Sequence, residues 1–202
     1  MSQGPQPLLK PAVFMEIANI VAMRGISLFV ETGTGPMSSG MEAARRLGLR
    51  GYTCDVYEPC VKRAYALYPD FEVYHATSVQ MLNDCLPKMD GRAFFWLDGH
   101  CPTDSACIPA DVFPLYDEML LVKNLKRGYE EDVIWIDDIA MIVDPANPLA
   151  SAWDVDLAGK PWHGDTSHTW AQYMAVFADT HDAEIDREEC MLKLTPKSDV
   201  RE

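Results

Sequence analysis

The sequence has no long apolar run and little basic charge. No stretch of about 18 or more apolar residues occurs, which argues against a membrane-spanning helix. Lys and Arg number 17 against 31 Asp and Glu, so the formal net charge is −14. Proteins that bind nucleic acid normally present a basic surface to the phosphates, and here no run of lysines and arginines supplies one. We therefore expect neither a membrane nor a nucleic acid as a partner.

Cysteine is present, but without a pattern that would assign it a role. The six cysteines include no CxxC pair, and the first residues lack the charged and apolar regions of a signal peptide. We therefore expect reduced, buried thiols and a cytoplasmic location. A zinc site made by His100, Cys101 and Cys107 is an alternative, although their spacing matches no common zinc pattern.

Apolar runs and amphipathic segments alternate along the 202 residues, a length typical of one domain. Helical spacing of apolar residues predicts helices over 11–23, 40–47, 61–67, 79–86 and 113–125. Short apolar runs predict buried strands over 26–30, 51–56, 71–75, 93–97 and 133–136. The alternation indicates the α/β class, with a doubly wound, mostly parallel sheet and helices on both faces.

The last third of the chain has a different character. A helix is predicted over 168–178, followed by strands over 183–185 and 191–194 that are too close together to pair in parallel. The expected single domain, 1–202, thus divides into an N-terminal helix (1–25), a core (26–143), an irregular loop or lid (144–168) and a terminal helix with a strand pair (169–195). Side chains in or just after the irregular stretch could close over a substrate: Trp153, Trp162, His163, Asp165 and His168.

Polar residues follow the predicted strands at the edge where a doubly wound sheet binds its ligands. They are Glu31-Thr32-Gly33-Thr34-Gly35, Asp55 and Glu58, Thr77 and Ser78, Asp98-Gly99-His100, and Asp137-Asp138. Gly33 and Gly35 allow a tight turn close to a ligand, although a plain strand-to-helix turn would use them equally. Ser38 stands where a dinucleotide fingerprint needs its third glycine, which argues against a nicotinamide-dependent reductase. Glu31 suits a ligand with a cationic group, such as an ammonium.

The segment Phe29-Val30-Glu31-Thr32-Gly33-Thr34-Gly35 resembles the first motif of class I S-adenosylmethionine-dependent methyltransferases, and the later signals follow in that family's order. The resemblance covers about residues 8–195 and implies a seven-stranded Rossmann-like fold with an antiparallel last strand. It also implies S-adenosylmethionine as the cofactor.

By the same resemblance, each of the polar strand ends has a place around that cofactor. Gly33 and Gly35 would lie beneath its methionyl part, and Glu31 would face its ammonium. Either Asp55 or Glu58 would hold the ribose hydroxyls, because one carboxylate accepts two hydrogen bonds. The matching cofactor-binding positions after the third and fourth strands are Thr77, Ser78 and Asp98.

Three aspartates, Asp98, Asp137 and Asp138, follow two strongly apolar strands. Crowded carboxylates are costly unless a cation or a proton neutralises them, and their oxygens suit Mg²⁺, Ca²⁺ or Mn²⁺. Capping of the following turn is the alternative. The pattern resembles metal-dependent O-methyltransferases of the catechol type and is similar to small sugar and antibiotic O-methyltransferases. It implies a divalent metal, Mg²⁺ above all, held by these aspartates, with Asp98 also catalytic.

One position departs from the catechol-type pattern. Where those enzymes carry a lysine base, this sequence has Cys101. His100 is the nearest candidate base, since the pKa of a histidine lies near the working range; a structural partner or a metal ligand are its alternatives.

The sequence thus predicts an enzyme: an S-adenosylmethionine-dependent methyltransferase, with metal-assisted O-methylation of a small hydroxylated molecule as its reaction. The alternative is a non-catalytic domain that binds S-adenosylmethionine or another adenosine compound as a sensor or scaffold, a hypothesis prompted by the missing lysine. The oligomeric state stays open, with a homodimer among the alternatives.

Overall fold

A computed structural model describes residues 9–36, 39–99, 113–150, 164–165 and 167–197 of the chain. The strands are β1 (Leu28–Thr32), β2 (Arg50–Asp55), β3 (Glu72–His75), β4 (Ala93–Leu97), β5 (Val133–Ile136), β6 (His181–Asp186) and β7 (Met191–Pro196). The helices of these ranges are α1 (Pro11–Arg24), α2 (Ser39–Arg46), α3 (Glu58–Leu67), α4 (Ser78–Cys85), α5 (Leu115–Leu125) and α6 (Trp170–Val176).

The seven strands form one sheet in the order β3-β2-β1-β4-β5-β7-β6. β1 to β5 pair in parallel, whereas β7 pairs antiparallel with both β5 and β6. The predicted α/β class, with its mostly parallel sheet and antiparallel end, is therefore confirmed. The strand order reverses between β1 and β4, and that reversal marks the crevice in which doubly wound sheets bind ligands.

Helices cover both faces of the sheet and enclose two apolar cores. On one face, α4, α5 and α6 pack with Met81, Met119 and Tyr173 among the buried side chains. On the other face, helices α1, α2 and α3 pack on the sheet, and Ile17 and Met41 are among the side chains buried there. Strands buried on both faces are apolar throughout: all residues of β4 and β5 are buried.

Most element boundaries differ from the predicted ones by one to three residues, and two of these differences have a clear physical reason. β1 continues through Glu31 and Thr32, which the sequence places in the turn, because polar partners inside the protein satisfy both buried side chains. α3 begins at Glu58, three residues before the predicted start at Val61. Proline is tolerated in the first turn of a helix, so Pro59 lies within the first turn of α3.

The four described cysteines are free thiols; Cys54, Cys60 and Cys85 are buried, as the sequence predicts, whereas Cys190 is partly exposed. Cys101 and Cys107, which the zinc alternative needs, lie outside the described residues together with His100. Within the described ranges, no helix is both long and apolar enough to cross a membrane.

Candidate functional site

Hydrogen bonds join the carboxyl ends of β1 and β4, the two strands between which the strand order reverses. The amide of Asp98 donates to the carbonyl of Thr32 (3.1 Å) and to its hydroxyl (3.0 Å). The amide of Gly99 donates to the same hydroxyl at 3.1 Å. One threonine side chain therefore fixes the backbone turn that carries Asp98.

The glycine loop after β1 lies directly against that turn. Gly33 has a φ of +78°, and a Cβ there would overlap the carbonyl oxygen of Asp98 and stand 2.9 Å from the Cα of Gly99. Gly35 also has a positive φ, +58°, with open space where a Cβ would stand. The loop thus needs glycine at position 33 for two reasons, backbone conformation and close approach.

Of the two candidate ribose ligands, Asp55 is the one that faces the loop. Its carboxylate accepts from the amides of Gly35 (2.8 Å) and Tyr57 (2.8 Å). Glu58 instead lies in the first turn of α3, where it pairs with Lys62 at 2.9 Å and is 60% exposed. The arrangement favours Asp55 at the crevice, and the role of either carboxylate in ribose binding stays a prediction.

Glu31 is buried between β1 and the start of α2. Its carboxyl accepts from the Thr53 hydroxyl at 3.2 Å and from the amides of Gly40 and Met41. Burial raises the pKa of Glu31 to about 8, against the opposing effect of these bonds. A Cβ at position 40 would overlap the Glu31 carboxylate, so a larger residue there would displace that carboxyl group. Glu31 thus ties α2 to the sheet, and its predicted contact with the cofactor ammonium stays a prediction.

Thr77 and Ser78, the predicted residues near the adenine, begin α4. Thr77 forms a capping box with Gln80: its hydroxyl accepts from the Gln80 amide at 3.2 Å, and its amide donates to the Gln80 side chain at 3.1 Å. The Ser78 hydroxyl bonds to Glu118 of α5. Both side chains therefore hold α4 in place, and a role for this segment near the adenine stays a prediction.

Glu118 is a site residue that the sequence reasoning missed. It is fully buried, accepts from the Thr32 hydroxyl at 3.3 Å, and holds an oxygen, Oε1, without a hydrogen-bond partner in the described part of the chain. Burial raises the pKa of Glu118 to about 7. A signal existed: Glu118 follows Leu115 by three residues and precedes Val122 by four, on the apolar side of α5.

The three predicted metal aspartates end neighbouring strands. Asp137 accepts from the Asp138 amide at 2.9 Å and from the Trp96 indole, and its own amide donates to the carbonyl of Leu97 at 3.0 Å. Asp138 adopts the left-handed conformation, with a φ of +49°. The bond from the Asp137 amide to Leu97 places the turn after β5 next to the end of β4, which Asp98 follows.

Burial raises the pKa of all three aspartates. The pKa of Asp98 lies well above its usual value, first through burial and then through the charge of Asp137. The pKa of Asp137 is raised to about 7 by burial and by Asp138. In the described ranges, however, no group of three His, Cys, Asp or Glu side chains is arranged to hold a metal ion. His100, the predicted base, lies outside these ranges.

Solved structures with this architecture are available for comparison. A predicted caffeoyl-CoA O-methyltransferase from Staphylococcus aureus superposes with a TM-score of 0.63 at 10% identity, over 95% of this chain and 86% of the other. An O-methyltransferase from Bacillus cereus in complex with S-adenosylhomocysteine gives 0.55 at 16% identity, over 95% and 84%. The S-adenosylhomocysteine-bound methyltransferase of Podospora anserina gives 0.56 at 9% identity, over 95% and 80%.

No protein-family model matches the sequence, and no curated protein matches it either. The likeness is therefore one of fold. The chain has the fold of class I S-adenosylmethionine-dependent methyltransferases, as its first motif and strand-end residues predict.

Proposed function

We propose that this protein is an S-adenosylmethionine-dependent methyltransferase. The observation that carries the proposal is the close packing of the Gly33 loop on the Asp98 turn at the strand-order reversal. Without a Cβ, Gly33 packs against the neighbouring strand end, and this brings the loop backbone to the strand-order reversal, where doubly wound sheets bind their ligands. Two of the similar folds were solved with S-adenosylhomocysteine, which is the demethylated form of the cofactor.

The residues of the crevice fit this cofactor. Gly33 and Gly35 offer a cradle for its methionyl part, and Asp55 offers carboxylate oxygens at the end of β2. Asp98 follows β4 and packs directly against this loop. When bound, the cofactor would supply a methyl group on a sulfonium. The protein's part would be to hold an acceptor in line with that methyl group and to exclude water.

For the acceptor, we propose a small hydroxylated molecule, so that the reaction is an O-methylation. Two of the similar structures are named as O-methyltransferases. The aspartates beside the crevice provide hydrogen-bond acceptors for a hydroxyl group. No ion pair joins Glu31, Asp98, Glu118, Asp137 or Asp138 to a described lysine or arginine, so this edge favours a neutral acceptor over an anionic one.

A divalent metal does not fit the described side chains as a three-carboxylate site, because no such group of ligands converges. Mg²⁺ at Asp98, Asp137 and Asp138 stays a prediction of the resemblance, and no step of the reaction is assigned to it here. Turnover before and after treatment with a chelator would decide the matter. Unchanged turnover after metal stripping would remove the metal from the reaction.

The proposal is tested first by cofactor binding and then by methyl transfer. Calorimetric titration with S-adenosylhomocysteine should give a saturable heat, and the absence of binding at millimolar concentration would refute the proposal. Transfer from radiolabelled S-adenosylmethionine to catechol, simple phenols and hexoses would then test O-methylation. Asp98→Asn should lose transfer while retaining the cofactor, whereas the matched control Asp84→Asn changes an exposed carboxylate that pairs with Lys88.

A cofactor-binding protein that methylates none of these acceptors would instead favour the sensor or scaffold hypothesis. Titration with NADH in the same calorimeter would show whether the crevice prefers a nicotinamide cofactor. Tighter binding of NADH than of S-adenosylhomocysteine would overturn the methyltransferase assignment altogether.

A further inference from the structure

A buried carboxylate holds a histidine at the carboxyl edge of the sheet, beyond the end of β5. The Nδ1 atom of His168 lies 2.9 Å from Oδ2 of Asp165. The Asp165 side chain is 4% exposed and the His168 side chain 31% exposed, so the pair presents only its imidazole end to solvent. A carboxylate at Nδ1 keeps the proton on that nitrogen and leaves Nε2 with a free lone pair.

The backbone holds Asp165 rigidly beside the turn that follows β5. The Asp165 amide donates to the carbonyl of Met141 at 2.9 Å, and its own carbonyl accepts from the Val143 amide at 2.9 Å. Met141 and Val143 lie three and five residues beyond Asp138. Asp165 is thus anchored to the same chain segment that carries the strand-end aspartates.

The Asp165 carboxylate is also saturated with donors. It accepts from the Ser167 amide at 2.7 Å and from the buried Tyr173 hydroxyl at 2.5 Å, besides His168. Burial alone would raise the pKa of Asp165, but these hydrogen bonds outweigh burial and lower its pKa. The carboxylate is therefore ionised at neutral pH and can stabilise a positively charged imidazole.

The His168 ring is fixed by aromatic neighbours. It stacks on Tyr116 with 4.0 Å between centroids and meets the edge of Tyr173 at 6.1 Å. In the part of the chain that the structure describes, Nε2 of His168 has no hydrogen-bond partner. Asp165 and the aromatic neighbours therefore fix the orientation of the ring, and its Nε2 atom can accept a proton.

The dyad lies at the carboxyl edge of the sheet. Helix α5 connects the parallel strands β4 and β5, so it starts at the carboxyl edge and runs back toward the other. The Glu118 side chain lies beside Gly99, since a Cβ on Gly99 would stand 2.8 Å from Oε1 of Glu118. Tyr116 lies two residues nearer the helix start, about 3 Å farther out along the axis. The His168 ring that stacks on Tyr116 therefore lies toward the carboxyl edge, and Tyr173, which bonds Asp165, is near enough to Glu118 for the Glu118 charge to raise the pKa of Tyr173.

We propose that His168, oriented by Asp165, is the general base of the methyl transfer. The inference rests on the proposed function and supplies the base that the missing lysine leaves open; the other candidate, His100, lies outside the described residues. The acceptor O–H proton passes to Nε2 while the oxygen forms a bond to the methyl carbon. The methyl–sulfur bond breaks, and its electron pair stays on the sulfur as a thioether. The imidazolium, stabilised by Asp165, then releases its proton to solvent.

The orientation of the ring can be tested without an acceptor. In the full-length protein labelled with ¹⁵N-histidine, the neutral His168 ring should carry its proton on Nδ1, with its signals identified by their loss in His168→Asn. Asp165→Asn should abolish this preference. A neutral ring protonated on Nε2 would overturn the proposal, because such a nitrogen has no lone pair to accept the proton.

Methyl transfer supplies the second readout, with catechol as the probe acceptor. His168→Ala should lower kcat by about 10²–10⁴-fold with little change in the affinity for S-adenosylhomocysteine, and added imidazole should restore part of the rate. Full activity of His168→Ala would overturn the proposal. Failure of the proposed function is distinct: the wild-type protein itself would not bind S-adenosylhomocysteine. If it binds but methylates no probe, the NMR result alone decides whether the dyad is built as a base.

Discussion

Buried carboxylates occur at both edges of the sheet, but their surroundings differ. At the amino edge, Asp132 precedes β5 and lies 3.4 Å from Nζ of Lys126, with both side chains buried. At the carboxyl edge, no described lysine or arginine forms an ion pair with Glu31, Asp98, Glu118, Asp137 or Asp138. A buried carboxylate is thus paired with a lysine at the amino edge, whereas several buried carboxylates lie without a cation at the carboxyl edge.

The amino edge has the features of a structural lock. Asp132 accepts from the Ala93 amide at 2.7 Å, and Lys126 donates to the carbonyls of Gly91 and Arg127 at 2.9 Å each. The carbonyl of Asp132 lies 2.9 Å from Nε2 of the buried His181. Burial raises the pKa of Asp132 to about 6, although Lys126 opposes the shift. These contacts join β4, β5 and α5 at the end remote from the crevice.

The contrast indicates where the fold is organised for stability and where for binding. A buried charge with a partner costs less than a buried charge without one, and several buried carboxyls without a cation raise one another's pKa and cost stability. Proteins retain such unfavourable groups chiefly where a ligand or a reaction uses them. We therefore expect the site at the carboxyl edge, where the strand order reverses.

The largest expected effect comes from breaking the lock of the amino edge. Lys126→Met leaves Asp132 buried without its cation, and we expect the free energy of unfolding to fall by about 3–5 kcal/mol in urea titrations. The control Lys88→Met removes a lysine whose 2.7 Å pair with Asp84 is exposed, and it should cost under about 1 kcal/mol. Equal losses in the two variants would show that burial of the Lys126 pair has no energetic consequence.

At the carboxyl edge, the sharpest expected loss is that of Gly33→Ala. The new Cβ meets both a positive φ and the backbone of Asp98, so we expect a cost of about 3 kcal/mol. Gly128→Ala is the matched control, because Gly128 has a φ of +73° with nothing within 4 Å of its Cβ position. That variant should cost about 1 kcal/mol. The difference between the two urea midpoints measures the contact between the loop and the Asp98 turn, and a difference of zero would deny it.

The fold was predictable because periodicity and composition dictate it. Alternating apolar runs and amphipathic segments predict the parallel sheet, and the short spacing of the last two strands predicts their antiparallel pairing. The predicted end of β1 at residue 30 is too early, because a charged residue such as Glu31 ordinarily marks a turn. Only the tertiary structure supplies the Thr53 hydroxyl and the start of α2 that allow Glu31 to be buried in a strand.

The site was predictable only in part. Strand-end positions identify Asp55, Asp98 and Asp137 as neighbours of one crevice, since the carboxyl ends of parallel strands meet there. The contact of Glu118 with Thr32 depends on how α5 packs, which no local pattern specifies. The Asp165–His168 pair likewise follows from the backbone bridge to Met141 and Val143, in a stretch without periodicity.

Changing pH should separate the two edges. Above a pH of about 4.5, the unfolded chain releases protons that the buried carboxyls retain, so the free energy of unfolding should fall as pH rises. Asp132, with a pKa of about 6, adds to this fall in the free energy of unfolding only up to about pH 6. Glu31, with a pKa of about 8, adds to it up to about pH 8. Glu31 alone accounts for a loss on the order of 2 kcal/mol between pH 6 and 8, and Glu118 and Asp137, with pKa values of about 7, add to it. Urea unfolding in buffers of equal ionic strength measures the total.

Glu31→Gln tests the source of that loss. An amide keeps an oxygen for the amides of α2 and cannot ionise, so this variant should show a clearly flatter dependence between pH 6 and 8. Asp132→Asn should leave the slope in this window intact. A wild-type stability that rises over the window would contradict the raised pKa values of the carboxyl edge.

The smallest expected effects distinguish Asp55 from Glu58 within the carboxyl edge. Asp55→Ala removes the acceptor of the Gly35 and Tyr57 amides, which should cost about 1–2 kcal/mol in urea unfolding. Glu58→Ala removes a pair with Lys62 in which both side chains are more than half exposed, and it should cost under about 0.5 kcal/mol. Titration with S-adenosylhomocysteine should rank the pair in the same order, with Asp55→Ala at least about tenfold weaker in affinity than Glu58→Ala. If Glu58→Ala weakened the affinity more than Asp55→Ala, the ribose contact would be assigned to Glu58 of α3. Asp55 would then only stabilise the glycine loop.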